Sequence, residues 1–221
     1  MTNRLILFFI VGCILIGCSQ TDKKIQKDKV VKFENHFGKE RAILLNEMVE
    51  IFDKLLLEEY NCQTQILDCY ISFLKDVQDQ KKIEFINVPE KERIRLKARI
   101  DSTGFRKDIW IFEYEKKQDS TFLDDDIPVT IQEGFSDSLW NASQDSTVEN
   151  NINGYFLTGL ELIQENDSLI IGYVDDLKSA NVLSPTISSR GLLYAINNYE
   201  INEYFFKRIV VAEYFVLFFE D

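Results

Sequence analysis

Between Lys39 and Tyr60, Leu44, Met48, Ile51 and Leu55 recur at intervals of four, three and four residues. That spacing returns side chains to one face of an α-helix, and Leu45, Phe52 and Leu56 widen the stripe. Glu47, Glu50 and Lys54 fall on the other faces. An amphipathic helix of this length has to bury its stripe, so a helical partner is expected. The next segment supplies one. From about Thr64 to Gln80, Leu67, Tyr70, Ile71, Leu74 and Val77 share an apolar face. Thr64 is a candidate N-cap, and Asn61 can end the first helix. The two segments predict an antiparallel helical hairpin.

Cys62 and Cys69 stand at its corner. On one continuous helix they would be about 10.5 Å apart at Cα, whereas a disulfide tolerates at most about 7 Å. A bond therefore requires the chain to turn between Cys62 and the helix carrying Cys69, as Asn61 and Thr64 suggest. The alternative is two free thiols packed as small hydrophobes. A redox-active pair is disfavoured, because the CxxC spacing is absent.

Pro89 suits the first turn of a third helix. Ile94, Leu96, Ala98 and Ile100 populate it, and Gly104 stops it. Asp108 to Tyr114 is dense in β-branched and aromatic residues and reads as a strand, with a partner expected at Val129–Ile131 or Phe135–Trp140. The stretch from Lys116 to Asn153 is rich in Asp, Ser, Gln and Asn. Its Asp124-Asp125-Asp126 run lacks the EF-hand pattern and reads as a solvated loop, so no metal site is expected. Helical periodicity returns at Tyr155, with Phe156, Leu160 and Ile163 on one side. Asp167 is placed to cap a segment holding Leu169, Ile170, Tyr173, Val174 and Leu177. Ser184-Pro185 opens a helix through Asn197 with Ile187, Leu192, Leu193 and Ile196 inward.

Glu203 to Phe219 is nearly all apolar, interrupted by Lys207, Arg208 and Glu213. Ile209-Val210-Val211 would suit a strand, but the length favours a buried helix at the centre of the C-terminal core. The expected fold is mainly α, strictly α+β with a small β element, its N-terminal hairpin packed with a C-terminal helical half. One α-rich domain spans 37–221, with an irregular acidic insert near 116–153.

The chain opens with Arg4 and an apolar run from Leu5 to Ile16, too short to span a bilayer and proportioned like a signal-peptide core with Gly17 before the cut. Leu15-Ile16-Gly17-Cys18 resembles the lipobox of bacterial lipoproteins. The resemblance implies that 1–17 are removed as a lipoprotein signal peptide, and that Cys18 carries a diacylglyceryl thioether and an N-linked acyl chain such as palmitate. Each buried CH₂ of those chains contributes about 0.8 kcal/mol to membrane attachment. Ser19, where inner-membrane lipoproteins often carry Asp, points to the outer membrane. Residues 18–36 then read as a polar tether whose Lys23, Lys24, Lys27, Lys29 and Lys32 can lie on anionic headgroups. His36, the only histidine, reads as a surface residue.

A second resemblance covers Gly104-Phe105 to Trp110, Asn153-Gly154-Tyr155-Phe156, Leu183-Ser184-Pro185 and Lys207-Arg208-Ile209-Val210-Val211. This layout is similar to a group of uncharacterised bacterial envelope lipoproteins. It implies a mostly helical domain and brings no activity, substrate or catalytic residue with it.

Catalysis has little to stand on. A single histidine argues against His-based triads and multi-histidine metal sites. There is no GxSxG elbow, glycine-rich phosphate loop or HExxH, and no cofactor is expected. Glu58-Glu59 and Asp175-Asp176 are carboxylate pairs of the kind that an acidic chain produces by composition. The formal charge of −12, more negative once Arg4 leaves, argues against nucleic acid as a partner. Asp-Ser followed by Thr or Leu begins at Asp101, Asp119, Asp137, Asp145 and Asp167. These triplets resemble acceptors of general protein O-glycosylation, with Ser102, Ser120, Ser138, Ser146 and Ser168 as the modified residues; the same dipeptides cap helices and make turns. The expected function is a non-enzymatic envelope lipoprotein with a membrane anchor at Cys18 and a protein partner. A sharper form is an acidic immunity-type protein that neutralises a toxin, and the rival class is a carboxylate-dependent hydrolase.

Overall fold

The structure, a computed structural model, describes residues 24–62, 65–81, 88–112, 148–180 and 183–216. Its elements in chain order are α1 (24–37), α2 (Lys39–Tyr60), α3 (Ile66–Gln78), α4 (Glu90–Thr103), a 3-10 turn (Arg106–Asp108), β1 (Trp110–Phe112), β2 (Val148–Asn150), α5 (Tyr155–Ile163), α6 (Ser168–Ala180), α7 (Pro185–Asn198) and α8 (Glu203–Val210). A π-helical turn, Val211–Phe215, continues α8. The fold is mainly helical, with one small sheet.

The stripe of α2 is the spine of the core: Leu44, Leu45, Met48, Phe52 and Leu56 are fully buried. Asn61 ends the helix in the left-handed region, φ 47°, and its N–H bonds to the Leu57 carbonyl. Helix α3 lays one face on α2 and another on α7. Tyr60 bonds to Asp76, and Tyr70 to Asp53. Both links join residues at nearly equal sequence separation, which two helices lying antiparallel side by side would not allow, so the arms of the hairpin cross obliquely. The C-terminal half closes the same core, where the Phe52 ring lies 5.1 Å from those of Phe73 and Phe215.

The tether expected up to residue 36 is, from residue 24 onward, the helix α1. Val30, Phe33 and Phe37 repeat at helical spacing among its lysines, and both phenylalanines are fully buried. The Phe33 ring meets Phe156 and Phe205 edge-on at 6.0 and 5.6 Å, and Phe37 meets Phe105 at 5.5 Å. Fully burying a Phe side chain stabilises by about 1.5–3 kcal/mol, enough for two rings to hold a helix that composition alone describes as polar. The lysines stay on its outer faces, where Lys29 and Lys32 donate to the carbonyls of Glu165 and Leu162. Gly38, at φ 97°, separates α1 from α2.

Helix α4 begins after Pro89 and stops at Gly104, whose φ of 67° makes a left-handed cap. Strand β1 pairs antiparallel with β2 in the register Trp110↔Asn150. The partner is Val148–Asn150, beyond both expected segments; Val129–Ile131 and Phe135–Trp140 lie outside the described residues, as does Asp124–Asp126. The last apolar run is helix rather than strand, and Ile209 to Val216 are all buried. Ile187, expected inward, faces solvent at 56% exposed, and Ile94 of α4 is likewise 59% exposed. Leu96 and Ile100 suffice to bury α4, and Leu192 and Leu193 carry the inner face of α7. No helix among the described residues is long and apolar enough to cross a membrane.

Candidate functional site: a tyrosine-rimmed cleft backed by a buried carboxyl

Helices α6 and α7 pack on each other, and both have secured starts. Asp167 Oδ1 accepts from the Ile170 N–H at 3.1 Å, and Ser184 Oγ accepts from Ile187 N–H at 3.3 Å, with Pro185 in the first turn. Each helix then carries a glycine where the two face one another. A Cβ on Gly172 would meet nothing within 4 Å, and one on Gly191 only Asp176 Oδ2 at 4.0 Å. Two missing side chains therefore leave a cleft of about 240 Å³ between the helices.

Ile187, Tyr194 and Tyr199 line this cleft and are substantially exposed. The Tyr194 and Tyr199 rings stand edge-on with centroids 6.0 Å apart, and Tyr194 raises the phenol of Tyr199 above its ordinary value. Tyr173 and Ser188 also line it and are buried. Asp176 is the acidic residue of the lining, which holds no Lys or Arg.

Behind Tyr173 lies the most buried charge-bearing group among the described residues of this half. Its hydroxyl donates to Glu213, in the π turn, and Glu213 Oε1 also accepts from Asn150 Nδ2 at 3.2 Å. Burial pushes the Glu213 carboxyl up to about 7, although both donors pull the other way. Burial likewise lifts the phenol of Tyr173 well above its usual value, and the Glu213 charge adds to this. Trp110 Nε1 donates to the Ala212 carbonyl at 3.3 Å, which ties the sheet to the same turn. Single π turns inside α-helices often mark functional positions. Glu213 is only 3% exposed, so it supports the cleft from behind and does not meet a solute. The surface that meets a solute comprises aromatic rings, one carboxylate and hydroxyls, a set suited to binding.

The residues singled out from sequence are dispersed. Cys62 and Cys69 are joined by a disulfide, with Cα atoms 5.7 Å apart across the turn between α2 and α3. Ser102 is exposed at the end of α4, where its Oγ donates to the Arg99 carbonyl. Ser168 is exposed at the start of α6 and lines the cleft, while its neighbour Asp167 serves as the cap. Cys18, Ser120, Ser138 and Ser146 lie outside the described residues. Glu58, Glu59 and Asp175 are exposed, and of the two carboxylate pairs only Asp176 reaches the cleft. His36 is half-buried rather than superficial: its Nε2 lies 2.9 Å from Thr158 Oγ1, joining α1 to α5. Among the described residues no group of three or more His, Cys, Asp or Glu could hold a metal ion. The sequence signal for the cleft was a glycine within each of two apolar helical repeats, Gly172 and Gly191.

No family model matches the chain, and neither a curated protein nor a solved structure shows significant similarity to it.

Proposed function

We propose that this chain is an envelope lipoprotein, held by lipid on Cys18 and sorted to the outer membrane, whose helical body binds another protein and catalyses no reaction. The lipobox Leu15-Ile16-Gly17-Cys18 supports the anchor. The observation that carries the binding role is the rim of the α6–α7 cleft, where Ile187 and Tyr194 are 56% and 61% exposed beside Tyr199. Large amphipathic side chains on a surface are the usual anchors of protein interfaces, tyrosine above all. The formal charge of −12 favours a basic partner and speeds its encounter through long-range attraction. An immunity-type role against a basic toxin is the sharper form of the same reading.

The test is crosslinked capture of the tagged chain from intact cells, beside a Tyr194→Ala/Tyr199→Ala variant. One dominant partner, lost with the two tyrosines, is the expected result. Capture that stays at background with the wild-type chain refutes the binding role. Fractionation of a Cys18→Ala chain tests the anchor separately, since that chain should leave the membrane fraction.

A further inference from the structure

We propose that the α6–α7 cleft is a socket for one basic side chain, arginine or lysine, projecting from the partner protein. This rests on the protein-binding reading and specifies the chemistry of the contact.

Size is the first argument. The cleft measures about 240 Å³, less than the roughly 300–1,000 Å³ of pockets that enclose a whole small molecule. It has room for one side chain, and the exposed Ile187, Tyr194 and Tyr199 offer apolar surface to the backbone that carries it.

Charge is the second. Asp176 belongs to α6 but stands across from α7, its Oδ2 4.0 Å from the position a Gly191 Cβ would take. Among the described residues none pairs with it, and the lining contains no cation of its own. An entering ammonium or guanidinium group gains a charge-assisted bond to Asp176 and the faces of the neighbouring tyrosine rings, which attract cations through their quadrupoles. An apolar or anionic group leaves the Asp176 carboxylate without a partner, and a basic group does not.

The experiment measures binding of fluorescent Gly-Gly-Arg-Gly-Gly and Gly-Gly-Lys-Gly-Gly amides to the full-length chain in mild detergent, by anisotropy. The matched citrulline peptide, which keeps the shape of arginine without its charge, is the control. The expected result is binding of both basic peptides at least tenfold tighter than of the citrulline peptide. Asp176→Asn should erase that difference. Gly191→Leu, which fills the cleft at a position where a Cβ makes only ordinary contact, should abolish saturable binding while the circular dichroism spectrum is unchanged. Equal binding of charged and neutral peptides, no saturable binding of any, or an undiminished charge preference in Asp176→Asn would each overturn the socket. Free arginine amide binding as tightly as the peptide would overturn the protein source in favour of a small amine. The protein-binding reading fails separately, through cellular capture: a partner retained equally by Asp176→Asn and Gly191→Leu leaves that reading standing and removes the socket.

Discussion

Asn150 donates from Nδ2 to Glu213 Oε1 across 3.2 Å and 63 residues of chain, joining β2 to the π turn behind the cleft. The other end of the Asn150 amide, Oδ1, is buried without a hydrogen-bond partner. The two ends have nearly the same shape, so the side chain can turn over at little steric cost. A neutral Glu213 then donates its own O–H to Oδ1. An ionised Glu213 has no proton to offer and leaves a charge in the core, where an uncompensated charge is costly.

Burial of this carboxyl makes stability depend on pH. Glu213 has a folded value near 7 against an ordinary value of 4.5, so the folded protein holds the proton more tightly than the unfolded chain does. The stabilisation is complete below about pH 4.5 and is lost as pH rises through 7, by on the order of 3 kcal/mol. Urea unfolding at about pH 5 and pH 8 should show this loss for the wild type relative to Glu213→Gln. A difference between the two chains that stays constant with pH would refute the assignment.

The disulfide between Cys62 and Cys69 closes a short loop at the α2–α3 corner. Replacing both cysteines with serine should cost roughly 2–3 kcal/mol on the chain-entropy account. Labelling of the denatured, unreduced protein with a thiol reagent checks the bond directly. Cys62 and Cys69 should remain unlabelled until a reductant is added.

Phe33 tests whether α1 belongs to the body. Its ring sits between Phe156 and Phe205, and Phe33→Ala should destabilise by about 3–5 kcal/mol. Trypsin should then cut at Lys27, Lys29 and Lys32 well before it cuts α2. A variant as stable and as resistant as the wild type would return this segment to the status of a linker.

Gly154 stands where α5 meets the 3-10 turn, and a Cβ there would lie 2.0 Å from the Asp108 carbonyl oxygen. Backbone on both sides leaves no flexible side chain to yield. Gly154→Ala should therefore cost about 3 kcal/mol, at the upper end for overpacking, and lower the thermal midpoint. Gly172→Ala, facing open space in the cleft, should instead be neutral or stabilising, because alanine is the better helix former.

Local patterns were legible in the sequence where one face of one element decided the outcome. The stripe from Leu44 to Leu55 marks α2 to the residue at both ends, and Asn61 and Gly104 stop their helices through left-handed backbone. What escaped depends on partners distant in the chain. Val30, Phe33 and Phe37 were spaced for a helix all along, but five lysines around them suggested solvent, and the rings are buried by Phe105, α5 and α8. Val148-Glu149-Asn150 has little intrinsic strand character, and its pairing with Trp110–Phe112 is set by tertiary contact. Glu213 looked like an interruption in an apolar run. It is instead the centre of a buried polar cluster, because Tyr173 and Asn150 converge on it from two other elements.

Tyr204 donates to Glu34 at 2.7 Å across 170 residues, and Phe205 covers Phe33 beside it. The first and last described helices thus complete each other, and this has a consequence for synthesis. The chain delivers α1 about 170 residues before α8, so Phe33 stays without its Phe205 cover until both segments have been made. Contacts between such remote segments form late, since a long loop has to close first. A chain clipped before Tyr204 keeps the Phe105 and Phe156 contacts of this stripe but leaves the face of Phe33 that Phe205 covers open to water.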